Sequence, residues 1–363
     1  MCVFLVIVWW VRVMIKRKIL VVGERSVSPD GYAYADSFVE ILQAQGHEVQ
    51  GFDCTKAQTF FGELSRFRLN RFSRIVFERS VNRQFVQKCL QFKPDVCLVL
   101  KGDTLNYSAI ARVKSLLKTR FILFYPDNPF LFGNGNSNAQ VVASLPLYDV
   151  VLSWSKALMP IFTSLGVAHV CYFPFGYDAR FFKTMPEQKQ QYDLGFIGTA
   201  DDERFELLRE LIRRLPSLSI GIWGNRWAEY KDRDEAVFAR YCGPAEYKEK
   251  MVELLRSCKI VLNPLRLQNF TSHNMRSLEA AAAGAFQLAS YSNEHAKVLF
   301  AADESIALYK NTEELVQKIN WYLAQPQQRE EFVQLAKSQV EPYSLQRMLQ
   351  RFFASGGCFC STL

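Results

Sequence analysis

Residues 259–289 read KIVLNPLRLQNFTSHNMRSLEAAAAGAFQLA. An apolar strand over 259–263 stops at Pro264, and a polar loop follows. Ser272 to Asn274 then offer side chains of the kind that cap a helix start, predicting a helix over 274–283. From Ala280 to Gly284 every side chain is small, so that helix can lie close against a sheet. Residues 285–289 are apolar again. Strand, helix and strand in this order, with strands apolar on both faces, form the repeating unit of a parallel sheet covered on both sides.

The same alternation runs outward through the chain. In the first half, strands are predicted over 18–23, 47–52, 95–100, 120–125, 149–153 and 169–173, with amphipathic helices over 34–45, 74–92, 108–118 and 156–165. Gly46 and Gly166 stand where helix C-cap glycines stand. Residues 174–180 and 183–191 read as a linker. Beyond it, strands are predicted over 193–198, 219–224, 259–263, 285–289 and 304–309. Helices are predicted over 204–215, 245–258, 274–283, 312–324 and 328–339. The expectation is an α/β chain of two tandem Rossmann-like, doubly wound domains facing across a cleft, where parallel sheets bind ligands at the carboxyl ends of their strands. Residues 14–177 would be the first domain and 178–340 the second, with 1–13 and 341–363 outside them.

Composition agrees with this and excludes other classes. Of 363 residues, 49% are hydrophobic and 22% charged, too apolar for disorder and too evenly charged for a polytopic membrane protein. No internal period marks a solenoid or coiled coil. Nine cysteines, without CxxC spacing and several inside apolar runs, read as reduced thiols of a cytosolic chain rather than a disulfide framework or zinc cluster. Residues 1–13, MCVFLVIVWWVRV, are shorter than the roughly 20 residues that span a bilayer and lack signal-peptide flanks. They read as an upstream extension before Met14 or as a short membrane-dipping anchor.

Charge is uneven. Residues 1–190 hold 23 Lys and Arg against 14 Asp and Glu, a balance of +9, while residues 191–363 hold 21 against 22. The basic half suits anionic partners. Within it, Arg66, Arg68, Arg71 and Arg74 alternate with Phe67, Leu69 and Phe72, a pattern that suits either an anionic membrane surface or a solvated helix end. No nucleic-acid-binding module is present.

Residues with chemistry cluster at predicted strand ends. His273, Arg276 and Glu279 recur at i, i+3 and i+6 at the start of the 274–283 helix, whose free N–H groups and dipole suit an anion. Asn263 and Asn274 flank the same loop. Gly198 and Arg204 follow the 193–198 strand, Gly243 opens the next predicted helix, and Asp127-Asn128 ends the 120–125 strand, where an acceptor or general base could sit. Asp30, Gly31 and Tyr32 follow the first strand. Plainer alternatives stand beside these: an Arg276–Glu279 surface pair, a helix-capping His273, a loop-capping Asn263, a turn glycine at 243 and a turn at Asp127-Asn128-Pro129. Gly23-Glu24-Arg25 is not a dinucleotide fingerprint, and Asp232-x-Asp234 lies in a charged loop.

The stretch S-C-K-I-V-L-N-P … H-N-M-R-S-L-E-A-A-A-A-G-A-F over 257–286 resembles the C-terminal signature of the spore-maturation-type (CgeB-like) glycosyltransferases, of the GT-B fold and the glycosyl transferases group 1 superfamily. Residues 192–198 (YDLGFIG), 242–247 (CGPAEY), 124–128 (FYPDN) and 174–178 (PFGYD) also fit. The resemblance implies a glycosyltransferase, hexosyltransferase in type, that moves sugar from a nucleotide-sugar donor to an acceptor (glycan, lipid or protein) held by the first domain, where the basic charge would lie. The final helix would return to that domain. Glu279 would bind the donor ribose, Arg276, the helix start with Asn274, and Arg204 the diphosphate, and Gly243 would admit the nucleobase. Asn263 and Gly198 would also line the donor site; Asp127, His273 and Arg276 would serve the reaction. Thr271 stands where many retaining relatives carry a second glutamate. No resident cofactor or metal is implied, and the location would be cytoplasmic, peripheral at the inner membrane face. A GT-B nucleotide-sugar epimerase or hydrolase, or a non-catalytic nucleotide-sugar-binding protein, are the alternatives.

Overall fold

In the computed structural model, residues 16–26, 32–60, 62–66, 70–132, 136–182 and 189–355 are described. The expectations for residues 1–13, Asp30, Gly31, Arg68, most of the 183–191 linker and the last eight residues lie outside them.

The first half runs β1 (Lys18–Gly23), α1 (Tyr34–Ala44), β2 (Glu48–Asp53), β3 (Lys56–Thr59), β4 (Gly62–Ser65), α2 (Arg71–Phe92), β5 (Val96–Leu100), α3 (Tyr107–Leu116), β6 (Arg120–Phe124), α4 (Ala139–Ser144), β7 (Val150–Ser153), α5 (Met159–Ser164) and β8 (Val170–Tyr172). Its main sheet is parallel, in the order β2-β1-β5-β6-β7-β8. Every residue of β5 is buried, as a strand covered on both faces must be. The antiparallel β3–β4 hairpin had no expectation, because KAQT and GELS are short and polar. The expected 156–165 helix is instead a 3₁₀ turn followed by α5, with Pro160 in its first turn, where a missing N–H costs nothing.

The second half repeats the plan with β9 (Tyr192–Ile197), α6 (Asp202–Arg214), β10 (Ile220–Trp223), α7 (Glu235–Phe238), β11 (Tyr241–Gly243), α8 (Lys248–Arg256), β12 (Cys258–Asn263), α9 (Met275–Ala283), β13 (Gln287–Ser290), β14 (Ala307–Tyr309), α10 (Thr312–Leu323) and α11 (Pro326–Val340). Its sheet is also parallel, in the order β11-β10-β9-β12-β13-β14. The structure corrects two expectations here. Gly243 ends the edge strand β11 instead of opening a helix, and the helix expected over 245–258 starts only at Lys248. Asp234 is the N-cap of α7.

The chain crosses back at its end. α12 (Leu345–Ala354) buries Leu345, Met348, Leu349, Phe352 and Phe353 in the core of the first half. The outgoing and returning segments touch: Leu345 N–H donates to Tyr177 O at 2.9 Å. Gly176, at φ +69°, lies where an added Cβ would come within 2.8 Å of Tyr343 O, so only glycine lets the two crossings pass.

A buried polar seam joins the halves. The Glu294 carboxylate, from the helical turn after β13, accepts Lys156 N–H (2.6 Å) and Ser155 Oγ–H (3.4 Å) on one oxygen and Ser272 Oγ–H (2.7 Å) and Tyr172 O–H (3.1 Å) on the other. Phe175 N–H donates to His273 Nε2 at 3.3 Å, so the neutral ring carries its proton on Nδ1, 2.9 Å from Ser272 Oγ. Burial alone would raise Glu294, but the bonds from His273, Ser272 and Lys156 hold its carboxyl below the usual range.

Two outcomes are expected. Phe352→Ala, deep in the first core, should cost about 3–5 kcal/mol, read from denaturant unfolding. His295 donates Nδ1–H to Ser290 O and accepts Ser277 Oγ–H, and burial brings its pKa down to about 4. Its stabilisation is full above the unfolded value of about 6.5 and is lost as pH falls toward 4, up to about 3 kcal/mol. Unfolding curves of His295→Gln against the parent across that window should show a flatter pH slope; equal slopes would contradict the buried neutral ring.

Candidate functional site

β9 and β12 are neighbours at the point where strand order reverses in the second sheet, and their carboxyl ends open there. The loop after β12 carries Arg266, whose Nε–H donates to Asp201 at 2.8 Å. Arg204, in the first turn of α6, donates to Thr199 O at 2.9 Å. Arg276, in the first turn of α9, meets Glu279 at 3.0 Å and also points to Ile197 O at the end of β9. These guanidinium groups feel one another: burial, then the charges of Arg266 and Arg276, bring Arg204 down to about 10 despite Asp201. The Nε atoms of both Arg204 and Arg276 are buried without a partner. Three cations facing two carboxylates, with two unused donors, form a set built for an anion.

Glu279 is 8% exposed and backed by the buried Ala280–Ala283 face of α9. Burial pushes its carboxyl above the usual range, only partly offset by Arg276. It lines a small pocket between the halves, a cavity of about 20 Å³, together with Tyr32, Asp178, Tyr247, Lys248 and Met275. The rings of Tyr32 and Tyr247 stack across this pocket at 5.8 Å. A Cβ at Gly198 would crowd the Phe196 ring at 3.0 Å and only touch Arg204 Nη1 at 3.7 Å. Space beside Gly243 is open.

Other expected site residues are placed differently. His273, Arg276 and Glu279 do not share a face. His273 precedes α9, is fully buried, and has both ring nitrogens committed in the seam, so it does not reach the cleft. Asn274 is the N-cap of α9, accepting Ser277 N–H, and its Nδ2 donates to Asn263 Oδ1 at 2.8 Å. Asn263, 2% exposed, spends its own amide on Ser277 and Gln287. Asn263 is thus engaged as its loop-capping alternative describes, and Asn274 caps α9. Asp127 does stand at the cleft wall after β6, but Lys101 pairs with it at 2.7 Å and Gln268 of the second half donates to it at 3.2 Å. Arg66, expected in a membrane-facing patch, pairs with Asp103.

Arg266, Tyr247 and Glu294 had no expectation. Arg266 lies three residues past a strand end, a position that could have marked it. Tyr247 and Glu294 act through partners remote in sequence, which no local pattern reveals. Among the described residues, no cluster of His, Cys, Asp and Glu could hold a metal ion, the six described cysteines are free, and no helix is long and apolar enough to cross a membrane.

Residues 204–354 match a family described as glycosyl transferase-like. No curated protein matches the sequence. Solved structures match nearly the whole chain at low identity. Sucrose-phosphate synthase from Thermosynechococcus elongatus shares 11% identity at a TM-score of 0.67, over 94% of this chain and all of that one. HepE of Anabaena in complex with UDP-glucose shares 14% at 0.64, over 94% and 99%. A glycosyltransferase from Rickettsia africae shares 12% at 0.65, over 95% and 100%. The chain thus has the GT-B fold of glycosyltransferases, and its second half carries a glycosyl transferase-like sequence.

Proposed function

We propose that this chain is a nucleotide-sugar-dependent glycosyltransferase of hexosyltransferase type and CgeB-like kind, with residues 178–340 binding the donor and 14–177 the acceptor. One observation carries the reading: Arg204, Arg266 and Arg276 converge at the switch point of the second sheet with two buried, unused Nε donors, beside the buried Glu279. A diphosphate would take the unused donors, and its growing negative charge as the sugar leaves is what these cations stabilise. The ionised Glu279 offers two acceptor oxygens to a vicinal ribose diol. Tyr247 and the open space at Gly243 suit the base. HepE, similar in fold, was solved with UDP-glucose, which makes that donor the first to test.

Arginines hold the diphosphate in this proposal and no divalent ion takes part. The epimerase or hydrolase alternative needs cleft carboxylates in the first half; Asp103 and Asp127 stand there, paired with Arg66 and Lys101, so product analysis separates the two. Asp127 is then a positioned acceptor-side group.

A thermal-shift panel of UDP-, GDP- and ADP-sugars should raise the midpoint with at least one donor, and calorimetry should show affinity unchanged by EDTA. Glu279→Gln should stay folded yet bind that donor roughly 10–150-fold more weakly, the loss of a charge-assisted bond. Arg276→Gln should weaken nucleoside diphosphate more than nucleoside. A panel with no shift, or unaltered affinity in folded Glu279→Gln, would overturn the proposal. Product analysis with and without acceptor separates transfer from hydrolysis and from binding alone.

A further inference from the structure

Tyr32 belongs to the first half, two residues before α1, and Tyr247 to the second, directly before α8. Their rings stack across the boundary with centroids 5.8 Å apart and planes 21° from parallel. A base held between them would need their faces about 7 Å apart, twice the contact distance of two carbon atoms. The cavity the rings share with Asp178, Met251, Met275 and Glu279 measures about 20 Å³, room for a single water molecule. A nucleoside needs a pocket on the order of 300 Å³ or more.

Glu279 reaches the same cavity as the two rings. A base is bonded directly to its ribose, so a donor whose ribose diol meets Glu279 carries its base toward Tyr247. That place is taken by Tyr32. Its ring resembles a base in being planar, apolar on its face and polar at its edge, where the hydroxyl hydrogen-bonds with Ser37. The neighbouring Tyr34 packs on Phe38 and Phe124 of the first core. The Tyr32 ring instead meets Phe181, edge to face at 6.3 Å, and Tyr247. Tyr247 is 39% exposed, so it can be approached from solvent. Lys248 beside it has φ +56°, a left-handed conformation that a residue other than glycine keeps only where its surroundings impose it. Met251 and Met275 are unbranched and adaptable, so the walls of the cavity can reshape around a larger occupant.

We infer, on the basis of the donor site proposed above, that the Tyr32 ring holds the place on Tyr247 that the donor's base takes, so that binding exchanges one stacked ring for another. Tyr32 then sets how readily the site admits a nucleotide, because apparent affinity scales with the fraction of molecules whose rings have parted. A ligand without a base meets no such cost. Since Tyr32 belongs to the first half, the exchange also ties donor entry to a contact between the halves.

Calorimetry on the full chain with UDP, GDP, ADP and inorganic pyrophosphate tests this. Tyr32→Ala should bind the preferred nucleoside diphosphate roughly 3–10-fold more tightly than the parent, the worth of an aromatic pair, while pyrophosphate affinity moves little. Tyr32→Leu keeps bulk against Phe181, which protects folding, and should gain in the same direction. Tyr247→Ala should lose nucleotide affinity, because base and Tyr32 use the same ring. Unchanged or weaker nucleotide binding in both folded Tyr32 variants would overturn the inference, as would an equal gain for pyrophosphate; either result leaves the donor site standing. If neither the parent nor the Tyr32 variants bind any of the three nucleotides, the donor site itself fails and the inference falls with it.

Discussion

Glu294 is one carboxylate held by both halves of the molecule. Its oxygens take a backbone N–H and hydroxyls from the first half and the Ser272 hydroxyl from the second, and Ser272 passes the contact on to His273 and Phe175. A buried charge is tolerable only when its lone pairs are filled, and a single missing partner leaves an uncompensated ion. Geometry at this seam is therefore tightly constrained. Because Ser272, His273 and Asn274 lead directly into α9, the constraint sets where Arg276 and Glu279 stand relative to the first half. Around it, the stacked Trp154 and Phe175 rings exclude water and strengthen each of these bonds.

The candidate donor site follows from that placement. α9 can approach β12 because its rear is alanine, and its start is rigid because Asn274, Ser277, Asn263 and His295 form a closed network. Beside this rigid start, Arg266 pairs with Asp201 and Arg276 with Glu279, while the Nε atoms of Arg204 and Arg276 keep no partner. Arg204, Arg266 and Arg276 repel one another at the end of β9 and β12, an arrangement costly without an anion and favourable with one. The proposal of a diphosphate there rests on these charges and unused donors.

Periodicity exposed much of the fold, since β5 is apolar throughout and β1, β6 and β12 have apolar interiors between polar ends, the pattern of parallel strands covered on both faces. It missed β3 and β4, whose polar residues owe their pairing to packing on α2, and β11, a three-residue edge. Among the candidate residues, the Arg276–Glu279 pair and the position of Arg204 in the first turn of α6 were legible, because spacing and strand-end position are local properties. That His273 and Asn263 spend their polar atoms on Phe175, Ser272, Ser277, Gln287 and Asn274 was not legible, because those partners are set by tertiary contacts.

The amino-acid sequence by itself determined the two repeated strand–helix units, the small-residue face of α9 and the excess of basic charge in the first half, all of which depend on neighbours within a few residues. Tertiary structure alone decided where that charge points, which of the polar groups near α9 remain open, and that Glu294 meets partners 138 and 122 residues away. Local pattern constrains the direction of a side chain relative to its own strand or helix. Which groups then meet depends on how two sheets are set against each other, and that is fixed by long-range contacts the local pattern does not contain.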